Sequence, residues 1–253
     1  MSSGASDRAG PWALQMQREW EQRARENPRY FICTDVPDTE EEFIASGLKD
    51  YQAHVRSFLK SADFDPEGKS ALEIGCGIGR MTRFFCEDFA AVTAVDISPA
   101  MIERARMGAS PRATFLVGSG CDLAGVPDKS VDFAFSYIVF QHIPDKRVIL
   151  RYIEEAGRVL KPGGLFHFHA NGLPYFEAGA LLFEGYISVS PRLHRYGLKK
   201  LPMIRRRRLG TWLGHPVSVG EIRRACRNVG LELARVTGRW SECMWVAGRK
   251  RAE

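Results

Sequence analysis

From residue 70 onward the chain alternates short apolar runs with longer amphipathic stretches, and this alternation predicts its elements. Residues 70–74, 91–95, 113–117, 131–136 and 165–169 are apolar runs of strand length. A glycine-rich loop and a helix reaching Phe85 follow the first run, and Ser98 caps the next helix with Pro99 at its first position. Residues 146–160 place Val148, Ile149, Tyr152, Ile153, Ala156, Val159 and Leu160 on one helical face, and Lys161-Pro-Gly-Gly stops that helix. Repeated strand–helix units predict an α/β fold with a mostly parallel sheet and helices on both faces. The pattern breaks at Asn171, and no clear periodicity returns before His215. Ser218-x-x-Glu221 then forms a capping box for a last helix. Residues 231–236 and 242–246 follow as strands joined near Gly238, a link short enough to make them antiparallel.

Upstream, Trp12, Met16 and Trp20 recur at helical spacing, and Pro28 is expected to end that helix. Thr39-x-x-Glu42 opens another, with Phe43, Ile44, Leu48, Tyr51, Val55, Phe58 and Leu59 on one broad face. The expected organisation is a disordered tail over residues 1–10 and one domain over 11–253. Within it lie N-terminal helices (11–69), a ligand-binding core (70–170), an insertion (171–215) and a closing helix with a strand pair (216–250).

Composition narrows the class. With 253 residues, 45% hydrophobic and 26% charged, the chain reads as a globular protein whose core needs no disulfide or metal. Its six cysteines, Cys33, Cys76, Cys86, Cys121, Cys226 and Cys243, include no Cys-x-x-Cys pair, which argues against a zinc or redox motif and suits a reducing cytosol. Residues 1–10 lack the apolar stretch of a signal peptide, and no apolar run is long enough to span a bilayer, so a cytoplasmic location without membrane contact is expected. The formal net charge is +6, and eight Lys or Arg against two Glu between Asn171 and His215 account for all of it. So localised an excess points to a local partner.

The candidate chemistry centres on Glu73-Ile74-Gly75-Cys76-Gly77-Ile78-Gly79, between the first strand and its helix. Such a junction lies at the carboxyl edge of a parallel sheet, where ligands bind, and its glycines permit a tight turn and close approach. The second strand ends in Asp96, placed to accept hydrogen bonds from ribose hydroxyls. A dinucleotide fingerprint would need a small residue where Arg80 stands. A carboxylate at Glu73 would repel a pyrophosphate and tolerate the ammonium and sulfonium of S-adenosylmethionine.

Leu72-Glu-Ile-Gly-Cys-Gly-Ile-Gly-Arg80 followed by Val95-Asp96-Ile-Ser98 resembles the first two motifs of class I S-adenosylmethionine-dependent methyltransferases of small-molecule type. Residues 132–136, Gln141-His142-Ile-Pro144 and Leu160-Lys-Pro-Gly-Gly164 resemble the later ones, and the resemblance covers residues 70–170. It implies a Rossmann-like seven-stranded sheet with an antiparallel last strand, an N-terminal helical lid and an insertion after strand five. It implies S-adenosylmethionine as cofactor, with Gly75 and Gly77 facing its methionyl and ribose end, Asp96 on the ribose hydroxyls and Ile97 against the adenine. Many relatives carry an acid shortly after the third strand. Here Val117-Gly-Ser-Gly120 stands there, so Ser119 or the backbone at Cys121 and Asp122 must meet the adenine edge. Asp122, followed by Leu123, is the favoured choice, and a loop-capping aspartate is the alternative.

His142 follows the fourth strand, where the acceptor should lie, and suits a general base if the acceptor must lose a proton; otherwise it is a structural histidine of that loop. Tyr137, Phe140 and Gln141 share the loop and could line the acceptor pocket, with Tyr137 also counted among cofactor contacts and Phe140 more readily core. His167 and His169 alternate on one strand face, but without a third ligand no metal is expected. Tyr30 and Phe31 either cover the cofactor or pack on the sheet. Lys199, Lys200 and the run Arg205, Arg206, Arg207, Arg208 interrupt a segment holding Tyr175, Phe176, Phe183, Tyr186, Tyr196 and Trp212. Aromatics mixed with arginine could stack RNA bases or cover a small acceptor. The expected partner is a small-molecule methyl acceptor at oxygen or nitrogen. The alternatives are an RNA methyltransferase and a methyltransferase-like binding protein without catalysis.

Overall fold

The computed structural model describes residues 11–33, 39–173 and 214–252. Its centre is a seven-stranded sheet in the order β3-β2-β1-β4-β5-β7-β6. The strands are β1 Ser70–Ile74, β2 Ala91–Asp96, β3 Ala113–Val117, β4 Val131–Ser136, β5 Leu160–Ala170, β6 Leu231–Thr237 and β7 Met244–Lys250. β1 pairs in parallel with β2 and β4, as do β2 with β3 and β4 with β5. β7 inserts antiparallel between β5 and β6. The central strands read as apolar on both faces because helices bury both.

One face is covered by α3 (Glu40–Tyr51), a π turn at Gln52–Arg56, α4 (Ser57–Ser61) and α5 (Thr82–Asp88). Tyr51, Val55, Leu59, Phe84 and Phe85 pack there on Phe133, Phe135 and Leu165. On this side α6 (Pro99–Arg106) seats Ile102 and Ala105 against Ala94 and Phe115. The opposite face carries α7 (Lys146–Val159) and α8 (Val219–Asn228), whose Ile149, Tyr152, Ile153, Ile222 and Cys226 meet Leu72, Phe166 and Phe168. Chain direction therefore reverses sides between β1 and β4, the switch point where a crevice opens outside the strands' carboxyl ends. α1 (Pro11–Glu26) and α2 (Pro28–Ile32) complete the described helices.

Several boundaries differ from the sequence reading. Pro28 does not simply end a helix. Asn27 accepts from the Tyr30 N–H and Pro28 takes the first position of α2, where a missing N–H costs nothing. The face running from Phe43 to Leu59 is broken by the π turn, in which the His54 carbonyl lies 3.0 Å from His167 Nδ1. Lys161-Pro-Gly-Gly lies within β5, which begins at Leu160 directly after α7. A register shift opposite Val131 and Phe133 absorbs it, Gly163 takes φ +79°, and Lys161 Nζ meets Asp132 Oδ2 at 2.7 Å. β7 starts at Met244, since Ser241 closes a turn back to the Gly238 carbonyl, and runs on to Lys250 because its polar end still pairs with β5 and β6. Residues 1–10, the arginines at 205–208, Lys199, Lys200 and the aromatics from Tyr175 to Trp212 lie outside the described residues.

Candidate active site

The loop after β1 and the end of β2 fold onto each other. The N–H groups of Gly75 and Cys76 both donate to the Val95 carbonyl, at 2.7 and 3.1 Å. Gly75 and Gly77 sit at φ +79° and +54°, a region that disfavours side chains. At Gly75 a Cβ would fall 2.1 Å from Val139 Cγ2, so the β1 and β4 loops meet too closely for any other residue. Asp96 is oriented by backbone alone: the Gly77 N–H donates to Oδ2 and the Ser98 N–H to Oδ1, each at 2.9 Å. Burial still pushes its carboxyl above the ordinary aspartate range.

These elements wall a cavity at the carboxyl edge, and it brings together Glu73, Gly75, Gly77, Asp96, Ile97, Tyr137 and His142. Glu73 is buried and accepts from Thr82 Oγ1 at 2.5 Å. Desolvation lifts its carboxyl to about 7, against the pull of that hydrogen bond and of Arg80. His142 closes a 3₁₀ turn, Phe140–His142, and meets Trp20 edge to face at 5.4 Å. Tyr137 lies flat against Trp245 at 5.4 Å and beside His54 at 4.7 Å.

Asp122 and Leu123 are not part of this wall. Asp122 Oδ1 accepts from Ser119 Oγ at 2.7 Å and from the Ala124 N–H at 3.3 Å, which is the work of a loop-capping aspartate. The Leu123 N–H is taken by Glu155 Oε2 at 2.9 Å, and its side chain joins the core. Gly118 and Gly120 line the cavity in their place. Phe140 is buried against Tyr152 and Phe168 in the core. His167 and His169 do share a face, but their surroundings are aromatic: His167 stacks on Phe58 at 4.1 Å and His169 abuts Tyr137 and Trp245. Among the described residues no group of three or more His, Cys, Asp or Glu could hold a metal ion.

The N-terminal helices form the remaining wall. Met16 and Trp20 of α1 and Phe31 and Ile32 of α2 face the cavity, while Tyr30 is exposed and packs edge-on against Phe31. α1 is fastened by Glu21, whose Oε2 accepts from Ser98 Oγ and the Ala100 N–H at the start of α6, and by Gln17, which donates to the Ile97 carbonyl. Met16, Trp20, Met81, Tyr152 and Arg80 were not singled out as site residues from sequence. For Met16 and Trp20 a signal existed in their spacing with Trp12, but an apolar helical stripe looks the same whether it meets a core or a ligand.

A family model described as a methyltransferase domain matches residues 72–168. The chain is 35% identical over 132 residues to the 2-methyl-6-phytyl-1,4-hydroquinone methyltransferase of Synechocystis, covering 51% of this chain and 40% of that protein. It is 32% identical over 190 residues to the ubiquinone biosynthesis O-methyltransferase of Xanthomonas oryzae, covering 73% of this chain and 71% of that one. Among solved structures, the magnesium protoporphyrin IX methyltransferase of Synechocystis with bound SAH superposes with a TM-score of 0.63, at 14% identity over 94% of this chain and 99% of that one. At that identity the likeness speaks for the fold.

Proposed function

The chain belongs to the class I S-adenosylmethionine-dependent methyltransferases, and from that premise we propose that it methylates a small molecule, at oxygen in preference to nitrogen. The relatives named for a hydroquinone, for ubiquinone biosynthesis and for tocopherol support a small acceptor, two of them by name an oxygen. The observation that carries the reading is the character of the cavity. Its lining combines Asp96 and Ile97 with Trp20, Phe31, Tyr137, Val139 and His142. Among the described residues that is a largely apolar lining, which favours a compact acceptor over a basic groove.

The residues fit the cofactor. Asp96 gives part of its acceptor capacity to backbone N–H groups, those of Gly77 and Ser98 among them, and keeps the rest for ribose hydroxyls. Gly75 and Gly77 offer bare backbone, Ile97 an apolar surface, and Glu73 a carboxyl toward positive charge. When bound, the cofactor supplies a methyl group on a sulfonium, a good leaving group. The protein's part is alignment and exclusion of water, for which the α1 and α2 side chains close one wall. His142 takes the proton that a hydroxyl acceptor must lose.

The test is transfer of isotopically labelled methyl to a panel of phenols, hydroquinones, amines and RNA. A methyl ether on a small hydroxylated ring is expected. Label confined to RNA would overturn the small-molecule reading, and label confined to amines would overturn the choice of oxygen.

A further inference from the structure

A second cavity, of about 300 Å³, lies outside the catalytic one and shares none of its lining residues. That volume is at the lower end of the range for small-molecule pockets. The cavity opens between the π turn and α4 on one side and β5, β7 and the edge strand β6 on the other. Small side chains leave it room, Ala53 on the helical side and Ala247 on the sheet. Its floor is aromatic. His167 stacks on Phe58 at 4.1 Å and Trp245 on His54 at 4.7 Å, and the rings of His167 and Trp245 are 4.4 Å apart. The π turn contributes Ala53 and His54, and irregular winding of this kind recurs at functional sites.

Burial holds His167 down to about 3 and lowers His54, so both rings are neutral at pH 7. Arg235 is then the only charge among the described residues that line the cavity. It has no acidic partner among the described residues, and its contact with Ser61 Oγ, at 3.5 Å, is long for a hydrogen bond. Thr237 shares its face of β6, and the register sets Arg235 opposite Ala247 and Thr237 opposite Trp245. The hydroxyls of Ser57 and Ser61 already donate to the Gln52 and Phe58 carbonyls. Arg235 and Thr237 are therefore neighbouring donors left for an anion. A cation without a counter-ion, beside neutral rings, is complementary to a flat ring that carries a negative charge, and the planar fork of an arginine matches a carboxylate. We propose that this cavity is a second ligand site, which takes a planar aromatic carboxylate with its ring on the aromatic floor and its carboxylate on Arg235 and Thr237. Trp245 also lies against Tyr137 of the catalytic wall, so a single ring separates the two sites. The assignment does not depend on which acceptor the catalytic cavity takes.

The probe is naphthoate, which has no hydroxyl to methylate, titrated calorimetrically into the full chain saturated with S-adenosylhomocysteine. One saturable site is expected in wild type. Naphthamide, of the same shape without the charge, should bind about threefold more weakly, as befits an exposed charge pair. Arg235→Gln should bring the two ligands to equal affinity. Ala53→Phe, which fills the cavity from an exposed position, should abolish binding of both. No saturable binding of naphthoate at millimolar concentrations, or equal affinity for the two ligands in wild type, would overturn the assignment. Binding that survives both substitutions would place the ligand elsewhere and overturn it as well. Should Ala53→Phe fail to fold, Arg235→Gln decides alone, since that side chain is exposed, and a preference for naphthoate that persists in it would overturn the site.

Discussion

At the scale of single residues the site is built from groups whose freedom has been removed in advance. Asp96 accepts from the backbone N–H groups of Gly77 and Ser98, so its carboxylate is already oriented for the ribose hydroxyls it is proposed to bind. Asp96→Ala is expected to weaken cofactor binding by about 1.5–3 kcal/mol, roughly tenfold or more, in a titration of the folded variant. Unchanged affinity would remove Asp96 from the nucleoside subsite. His142→Ala should leave cofactor affinity nearly intact and lower turnover by about 10²-fold, and wild-type turnover would return His142 to a structural role in its loop. Glu73 yields a different signature. Burial raises its carboxyl to about 7 from 4.5, so its contribution to stability is full below 4.5 and is lost as pH rises through 7. A sulfonium beside it favours the ionised form, so cofactor binding near pH 6.5 should release a proton. Calorimetry in buffers of different ionisation heat measures this, and Glu73→Gln should abolish that release. A release that persists in the variant would place the cation elsewhere. Gly75, Gly77 and Asp96 were legible in the sequence because strand, turn and acid lie close along the chain. Arg80 served to exclude the dinucleotide fingerprint, but its contacts with Asp50 and Ser46 of α3 were not legible, since they lie about thirty residues away.

At the scale of elements, strand existence was legible and strand ends were not. β1, β3 and β4 begin and end where apolar runs do. β5 begins before its apolar run because Leu160 already pairs with Val131, and β7 extends past its own because pairing recruits polar residues such as Arg249. The π turn and the fastening of α1 through Glu21 were invisible for the same reason: both are settled by tertiary contacts. β5 also carries an acid sensitivity. Burial holds His167 down to about 3 and His169 to about 4 from the usual 6.5. The folded state refuses protons that the unfolded chain accepts, so stability is full above 6.5 and is lost as pH falls toward the folded values. Between pH 7 and 5 each histidine should cost about 2 kcal/mol, by linkage at about 1.4 kcal/mol per pH unit. His169→Phe should recover its share in urea denaturation at pH 5. At pH 7 the variant should be no less stable than wild type by more than about 1 kcal/mol, since it also removes a buried Nδ1 that has no hydrogen-bond partner. A pH dependence identical to wild type would show that His169 is protonated in the folded state.

At the scale of the whole molecule the question is what the net charge of +6 does, since eight Lys or Arg and two Glu between Asn171 and His215 supply it. The described ends of that stretch return to the site. The Gly214 and His215 N–H groups donate to the Gln141 and Ile143 carbonyls, and Val217 pairs with Asn171 at the end of β5. The described residues that flank the stretch therefore lie close to His142, where the proposed acceptor would sit. If Arg205, Arg206, Arg207 and Arg208 gripped single-stranded RNA, each neutralised phosphate would add about −0.7 to the slope of log affinity against log salt, and four would give nearly −3. A cover over a small acceptor predicts weak RNA binding and turnover almost independent of salt. The second outcome is expected, because the described residues that line the cavity include Trp20, Phe31, Tyr137 and Val139 and, among those described residues, no row of cations along which a phosphate backbone could run. The measurement is a salt titration of RNA binding for wild type and for a variant with the four arginines replaced by Ser. Tight, salt-steep binding lost in the variant, together with methyl transfer to that RNA, would reject the small acceptor. Weak binding in both, with turnover of a small phenol retained in wild type across the titration, would leave those arginines outside substrate recognition by charge.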